Sequence, residues 1–352
     1  MQFGNTMSRR EALAACAIAP WAMDRIGGVS TTTLTGAGAS FPAPLYSQWF
    51  RKYSESNRDI VVNYQSIGSG AGVAQFSQRI VDFGASDAAM TDREMEKLDF
   101  SVKLLPMTAG GIVLTFNLPG IEKLRLTAEV IAGIAGGSIA RWDAKEIREH
   151  NPGVDLPGLP ITWVHRSDGS GTTYVFSGWL AANNDRFAST IGQGKQLDWT
   201  GVRAVGGRGN AGITAIVGQT PGACGYIEFG YAVKSSRKLA IAEILNAAGE
   251  FVTPSVDSCK ASLQNFRLPP NLRAFDFRPQ GAASYPIVTL TWILAYGTYP
   301  GDTAEKMKNL LTWCLGPGQA ESASLGYVPL PKNMVATIME AVDSITAERR
   351  SR

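Results

Sequence analysis

The chain has 352 residues, of which 45% are hydrophobic and 18% charged, and a formal net charge of +3. That length and composition allow two domains with substantial cores and exclude a disordered or fibrous chain. Lys and Arg are scattered without a long basic run, so no nucleic-acid footprint is expected and any bound anion must be met by local donors.

Met7-Ser8-Arg9-Arg10 precedes a short apolar run over residues 12–23. The run is too short to span a bilayer, and a basic flank before a short apolar core is the pattern of an export signal, read here over residues 1–29. The paired arginines are similar to a twin-arginine signal, with Ala12 where an aromatic residue is usual. Leu13-Ala14-Ala15-Cys16 has almost no apolar segment before it, so lipidation is not expected. Removal of the signal takes Cys16 with it and leaves Cys224, Cys259 and Cys314, widely spaced. That spacing argues against a zinc site or redox pair and leaves one disulfide open. His150 and His165 are too few for a multi-histidine site, so neither a metal nor a cofactor is expected.

Leu34-Thr35 opens a short strand that passes through Gly36-Ala37-Gly38-Ala39-Ser40 into an amphipathic helix over 45–53, with Pro42 or Pro44 in its first turn. Residues 60–65 alternate as a strand and lead through the turn 66–72 into a helix over 73–81. Residues 82–87 form a short strand ending in Asp87, which taken alone is a cap or turn residue, and Thr91 with Glu94 makes a capping box. Residues 103–107 and 111–117 read as a strand pair or one bent strand, with 112–116 wholly apolar and so buried on both faces.

A second lobe follows, with helices over 127–134 and 143–150 and a Pro-rich loop over 151–160. A strand over 161–164, a turn over 168–171 and a helix over 172–182 come next. Residues 198–212 read as a glycine-rich loop, 213–218 as a short helix, 225–232 as an aromatic strand and 269–286 as irregular connection. Residues 287–296 then form a buried strand, and 303–315 and 331–349 form amphipathic helices.

Strand, small-residue turn and helix thus recur at Ser40, Ser69 and Ser170. At each helix start the first N–H groups lack helical partners and the macrodipole adds partial positive charge, which together attract an anion. Arg166 adds a planar fork of donors, and Ser170 and Thr172 add hydroxyls. Ser, Asp and Thr are also ordinary caps, so it is the repetition that points to a site. Alternating strands and helices indicate an α/β fold with mostly parallel sheets and a ligand crevice at the strand C-terminal ends.

Two enzyme classes compete with an anion-binding protein. Neither Ser69 nor Ser170 has a glycine two positions before it, so a serine hydrolase lacks its nucleophile elbow. Gly207-Arg208-Gly209-Asn210-Ala211-Gly212 matches G-x-G-x-x-G, with Glu228 following, but only the brief 202–205 precedes it as a strand. It reads as a loop before a helix at the border of the cleft. No Walker lysine motif is present, and no enzyme activity is expected.

The segments Thr35-Gly36-Ala37-Gly38-Ala39-Ser40-Phe41-Pro42-Ala43-Pro44, Val62-Asn63-Tyr64-Gln65-Ser66-Ile67-Gly68-Ser69-Gly70, Asp82-Phe83-Gly84-Ala85-Ser86-Asp87 and Arg166-Ser167-Asp168-Gly169-Ser170-Gly171-Thr172 stand in this order. Together they closely resemble the phosphate-binding protein of bacterial high-affinity phosphate ABC transporters. The resemblance continues through Gly206-Gly207-Arg208-Gly209-Asn210, Pro221-Gly222-Ala223 and Gly225-Tyr226-Ile227-Glu228.

It implies a two-lobe periplasmic binding protein whose chain crosses between lobes twice, with lobe 1 over 30–116 and 285–352 and lobe 2 over 117–284. Inorganic phosphate would bind between them and pass to a membrane permease, the protein acting as a periplasmic monomer. The resemblance places Ser40, Phe41 (through its N–H), Ser69 and Asp87 on the first lobe, facing Arg166, Ser170, Gly171 and Thr172 on the second. Asp168 corresponds to the acid that holds the arginine's fork. The family usually has threonine at Ser40, another basic residue at His165 and an acid at Ala211. Sulfate, arsenate or molybdate is the alternative ligand within the same class.

Overall fold

The computed structural model describes residues 31–199, 201–235, 239–264 and 266–348, so the export segment read over 1–29 lies outside the described residues. The sheet strands are β1 (Thr32–Gly38), β2 (Ile60–Ser66), β3 (Phe83–Ser86), β4 (Val102–Phe116), β5 (Thr162–Arg166), β6 (Ala204–Gly207), β7 (Ala223–Glu228) and β8 (Val288–Tyr296). They lie in the order β2-β1-β3-β8-β4-β7-β5-β6, and Ala240–Ile241 also pairs with β4. Parallel β2-β1-β3 forms one flank and parallel β7-β5-β6 the other. β8 and β4 are the antiparallel strands between them. The fold is the expected α/β arrangement in two lobes.

One strand joins the lobes. β4 is a single element of 15 residues rather than a strand pair, a length of about 50 Å at the usual rise per residue. Its residues up to Gly111 pair with β8, and from Ile112 onward they pair with β7. The return crossing lies beside it, since the Ile112 N–H donates to Ile287 O at 2.8 Å and Tyr285 Oη donates to Ile112 O at 3.1 Å. Burial explains why Pro106 and the Gly110-Gly111 pair do not break the strand: every residue from Leu104 to Phe116 is buried. Pro106 has no N–H to give the ladder, and the register slips opposite it between Thr291 and Trp292.

The helices bearing on the site are α1 (Ala43–Ser56), α2 (Ser69–Ser77), α3 (Gly171–Asn183) and α4 (Gly209–Gln219). α1 seats Leu45, Tyr46, Trp49, Phe50 and Tyr53 in the first core, and α3 seats Val175, Phe176, Trp179 and Leu180 in the second. The capping box of Thr91 and Glu94 forms as read.

Several boundaries differ from the sequence reading. The segment 225–232 is not one strand: β7 ends at Glu228, whose side chain accepts from the Gly230 N–H and opens a helix, Phe229–Lys234. The glycine-rich stretch 198–212 holds β6 and the start of α4. The helix read over 143–150 is Lys145–Arg148 only. The last helix is Lys332–Asp343, after which Thr346–Ala347 pairs with Thr298–Tyr299. Cys224, Cys259 and Cys314 are buried, unpaired thiols, and burial pushes all three well above the ordinary thiol range. Among the described residues no helix is long and apolar enough to cross a membrane, and no cluster of metal-ligating side chains occurs.

A buried cradle at four helix starts

Each member of the cradle sits where a strand ends and a helix begins. Ser40 and Phe41 follow β1, with Pro42 at the cap of α1. Ser69 opens α2 behind Gly68, and Asp87 follows β3. Arg166 ends β5, and Ser170 caps α3, its Oγ accepting from the Thr173 N–H at 3.0 Å. In the sequence the repeated turns are far apart. In the structure they meet.

The contacts across the cleft are close. The Ser40 Oγ accepts from the Asn210 N–H and from Asn210 Nδ2, both at 3.0 Å. Asn210 Nδ2 also reaches Thr172 Oγ1 at 3.4 Å, and Arg166 Nη1 donates to that same oxygen at 3.3 Å. The Gly70 N–H donates to Gly169 O at 2.8 Å, and Tyr231 Oη donates to Ser40 O at 2.7 Å. Gly171 lies so near the first lobe that a Cβ there would stand 2.6 Å from Ser69 Oγ and 2.7 Å from the Asp87 Cβ. Only a glycine permits that approach. Ser40, Ser69, Asp87, Arg166, Ser170 and Thr172 are all buried. The lobes are closed on one another.

The charges are arranged asymmetrically. Arg166 is locked by Asp168, with Nε to Oδ1 at 2.7 Å and Nη2 to Oδ2 at 2.5 Å. One edge of the guanidinium is consumed by that acid, and the Nη1 side faces Thr172 and the cradle. Burial raises the Asp168 carboxyl, but the Arg166 bonds and charge, with the Gly209 N–H at 3.0 Å, hold it below the usual range. Asp87 is the opposite case. Burial pushes its carboxyl up to about 7, against the Thr291 hydroxyl, the Arg166 charge and the Ser69 and Thr172 hydroxyls. Thr291 Oγ1 donates to Asp87 Oδ1 at 2.8 Å, and the Asp87 N–H donates to Ser69 Oγ at 3.2 Å.

The result is a buried cluster of N–H and O–H donors and a guanidinium around one carboxyl that burial raises to about 7. Such a set would suit a tetrahedral oxyanion that still carries a proton: the donors would meet its bare oxygens, and the carboxyl would accept a hydrogen bond from its O–H. Above it the lobes leave a mouth of about 460 Å³, lined by residues that include Ser66, Ile67, Arg208 and Tyr231.

Of the residues singled out from the sequence, Ser40, Ser69, Asp87, Arg166, Asp168, Gly171 and Thr172 lie together here through these contacts, with Phe41 next to Ser40 and Ser170 next to Gly171 in the chain. Two others were not foreseen. Asn210 lies in the first turn of α4, so strand, glycine turn and helix occur a fourth time. Its signal was the polar amide just inside a helix start, within a stretch that reads as a loop because β6 has four residues. Thr291 is reached only through the third dimension, at the β8 register slip opposite Pro106, where it turns toward Asp87.

Two lobes, joined by adjacent crossings and closed over a buried cradle of donors, define a binding protein of the periplasmic type. A family model described as a PBP superfamily domain matches residues 27–317. The phosphate-binding protein PstS of Xylella fastidiosa (strain Temecula1) is 38% identical over 312 residues, covering 87% of this chain and 83% of its own length. PstS of Haemophilus influenzae is 37% identical over 313 residues, covering 87% and 91%. The solved phosphate-binding protein from Stenotrophomonas maltophilia superposes with a TM-score of 0.68 at 18% identity, covering 88% of this chain and 93% of that one. The chain belongs to the PBP superfamily and, within it, to the family of the PstS proteins.

Proposed function

We propose that this protein binds inorganic phosphate between its lobes and hands it to the membrane permease of an ABC transporter, working as an exported, periplasmic monomer without catalysis. The donors are the hydroxyls of Ser40, Ser69, Ser170 and Thr172, the N–H groups of Phe41, Gly171 and Thr172, and the Arg166 guanidinium. Asp168 holds that guanidinium in place. The observation that carries this reading is Asp87, a fully buried carboxyl raised to about 7 and set among the Thr291, Ser69 and Thr172 hydroxyls and the Arg166 charge. At neutral pH phosphate still has a proton to give it, whereas sulfate has none and would press a bare oxygen against the carboxylate. The names of the PstS relatives and their identity over most of this chain support the same ligand.

Closure follows from ligand size. Five heavy atoms at a ceiling of about −1.5 kcal/mol each give roughly −7.5 kcal/mol, or low-micromolar binding. Tighter binding needs charge-assisted bonds away from water, which lobe closure supplies. We place lobe 1 over 30–116 and 285–352 and lobe 2 over 117–284. Bending would centre on Gly110 to Ile112 beside Tyr285, somewhat before Asn117, because that is where β4 changes partner. The test is equilibrium dialysis of labelled phosphate at pH 8 with excess sulfate, arsenate or molybdate. Phosphate should bind at low micromolar Kd or better and resist sulfate; sulfate displacing it at equal concentration would overturn the reading.

A further inference from the structure

The Asn210 side chain makes three polar contacts, of which the one to Ser40 joins the second lobe to the first, and their geometry fixes which way each hydrogen bond runs. The Glu228 N–H, at the end of β7, donates to Asn210 Oδ1 at 2.9 Å. That backbone donor determines which end of the amide is oxygen, so Nδ2 must face Ser40 Oγ at 3.0 Å and Thr172 Oγ1 at 3.4 Å. The Asn210 N–H, unpaired within its helix because it lies in the first turn, goes to Ser40 Oγ as well. Asn210 is wholly buried.

A hydroxyl has two acceptor positions and one proton. Both acceptor positions of Ser40 are filled by Asn210, and among the described residues Ser40 Oγ donates no hydrogen bond. Thr172 Oγ1 likewise accepts from Asn210 Nδ2 and Arg166 Nη1, and its own proton is directed to Asp87. Ser40 is left with its proton as its remaining bonding capacity. A serine side chain moves among three staggered rotamers more freely than a threonine. The two bonds from Asn210 hold Ser40 where side-chain branching would otherwise do so.

We infer that Asn210 is a positioning residue: it fixes the Ser40 hydroxyl as an obligate donor to the bound anion, and does so only when the lobes are closed. The inference rests on the phosphate reading above. It gives the cradle a fixed polarity, with Ser40 and Arg166 donating and Asp87 accepting. A ligand with bare oxygens on one side and a proton on the other fits that polarity in one orientation.

The test is a double-mutant cycle on labelled-phosphate binding, with a pH series on an isosteric variant. Asn210→Ala and Ser40→Ala should each raise the Kd about tenfold, mainly through faster release. The double variant should match Ser40→Ala alone, because the amide acts through that hydroxyl. Independent, multiplying effects would overturn the inference. Asn210→Asp replaces the donating amide by an acceptor, which draws the Ser40 proton away from the ligand. Its Kd should rise about 100-fold at pH 8 and recover on acidification more steeply than the wild type; a profile parallel to the wild type would overturn the inference. Should Asn210→Ala fail to keep its thermal midpoint, the aspartate series decides alone. A wild-type protein that fails to bind phosphate would instead overturn the function proposed above.

Discussion

The two halves of the cradle are built from different chemistry. The half carried by α1, α2 and β3 has hydroxyls and, as its acid, the buried Asp87, whose carboxyl burial raises to about 7. The half carried by α3, α4 and β5 has Arg166, pinned on one edge by an acid that stays ionised. On the proposed phosphate reading, the second half would attract any oxyanion of suitable size and the first half would test whether that anion still has a proton. Capture and selection would then lie on separate lobes, so a wrong anion could be met by one half without the cleft closing on it.

Removing the capturing charge should have the largest effect. Arg166→Ala deletes a buried charge that faces the ligand and strands Asp168, so phosphate affinity should fall about 1000-fold or more by titration calorimetry. A loss under tenfold would mean that helix dipoles, and not the cation, do the capturing. Asp87→Asn addresses selection. Phosphate should stay within about tenfold while sulfate affinity rises on the order of 1000-fold, measured by competition dialysis. Unchanged exclusion of sulfate would move the selecting element elsewhere.

Smaller effects test whether the halves must meet and whether the acid is raised. Gly171→Ala puts a methyl within 2.6 Å of Ser69 Oγ, and the lobes are the parts free to move apart. Phosphate release in stopped flow should quicken about tenfold to a hundredfold, with a smaller change in the rate of binding. The pH dependence of the ligand-free protein is the mildest test. Between pH 3.8 and about 7 the folded protein keeps a proton on Asp87 that the unfolded chain has lost. Stability from this group is therefore full below that window, falls as pH rises through it and is flat above. The thermal midpoint should drop by a few degrees across the window, and Asp87→Asn should remove the drop.

Much of this was legible locally. The strand, turn and helix units at Ser40, Ser69 and Ser170 declare themselves through periodicity and small-residue turns, because a helix start must offer unpaired N–H groups whatever surrounds it. The α/β class and the buried character of Ile112 to Phe116 followed from alternation and from an apolar run. What failed was local continuity under tertiary control. Pro106 and Gly110-Gly111 look like breaks, but burial on both faces and the slip at Thr291 keep β4 as one strand. The fourth helix start escaped notice because β6 is only four residues long and half-exposed at its start, too short for a period.

The amino-acid order by itself determined which residues could bind: the donor-rich turns, the arginine with an acid two positions on, and a lone carboxylate after a buried strand. Those are properties of spacing and backbone geometry within a few residues. Only the tertiary structure decided that the Asp87 carboxyl is raised to about 7, that Gly171 stands against Ser69, and that Asn210 bonds Ser40 from the opposite lobe. Protonation depends on the water excluded around a group, and a hydrogen bond's direction depends on what fills the acceptor's other positions. Both are set by atoms far away along the chain.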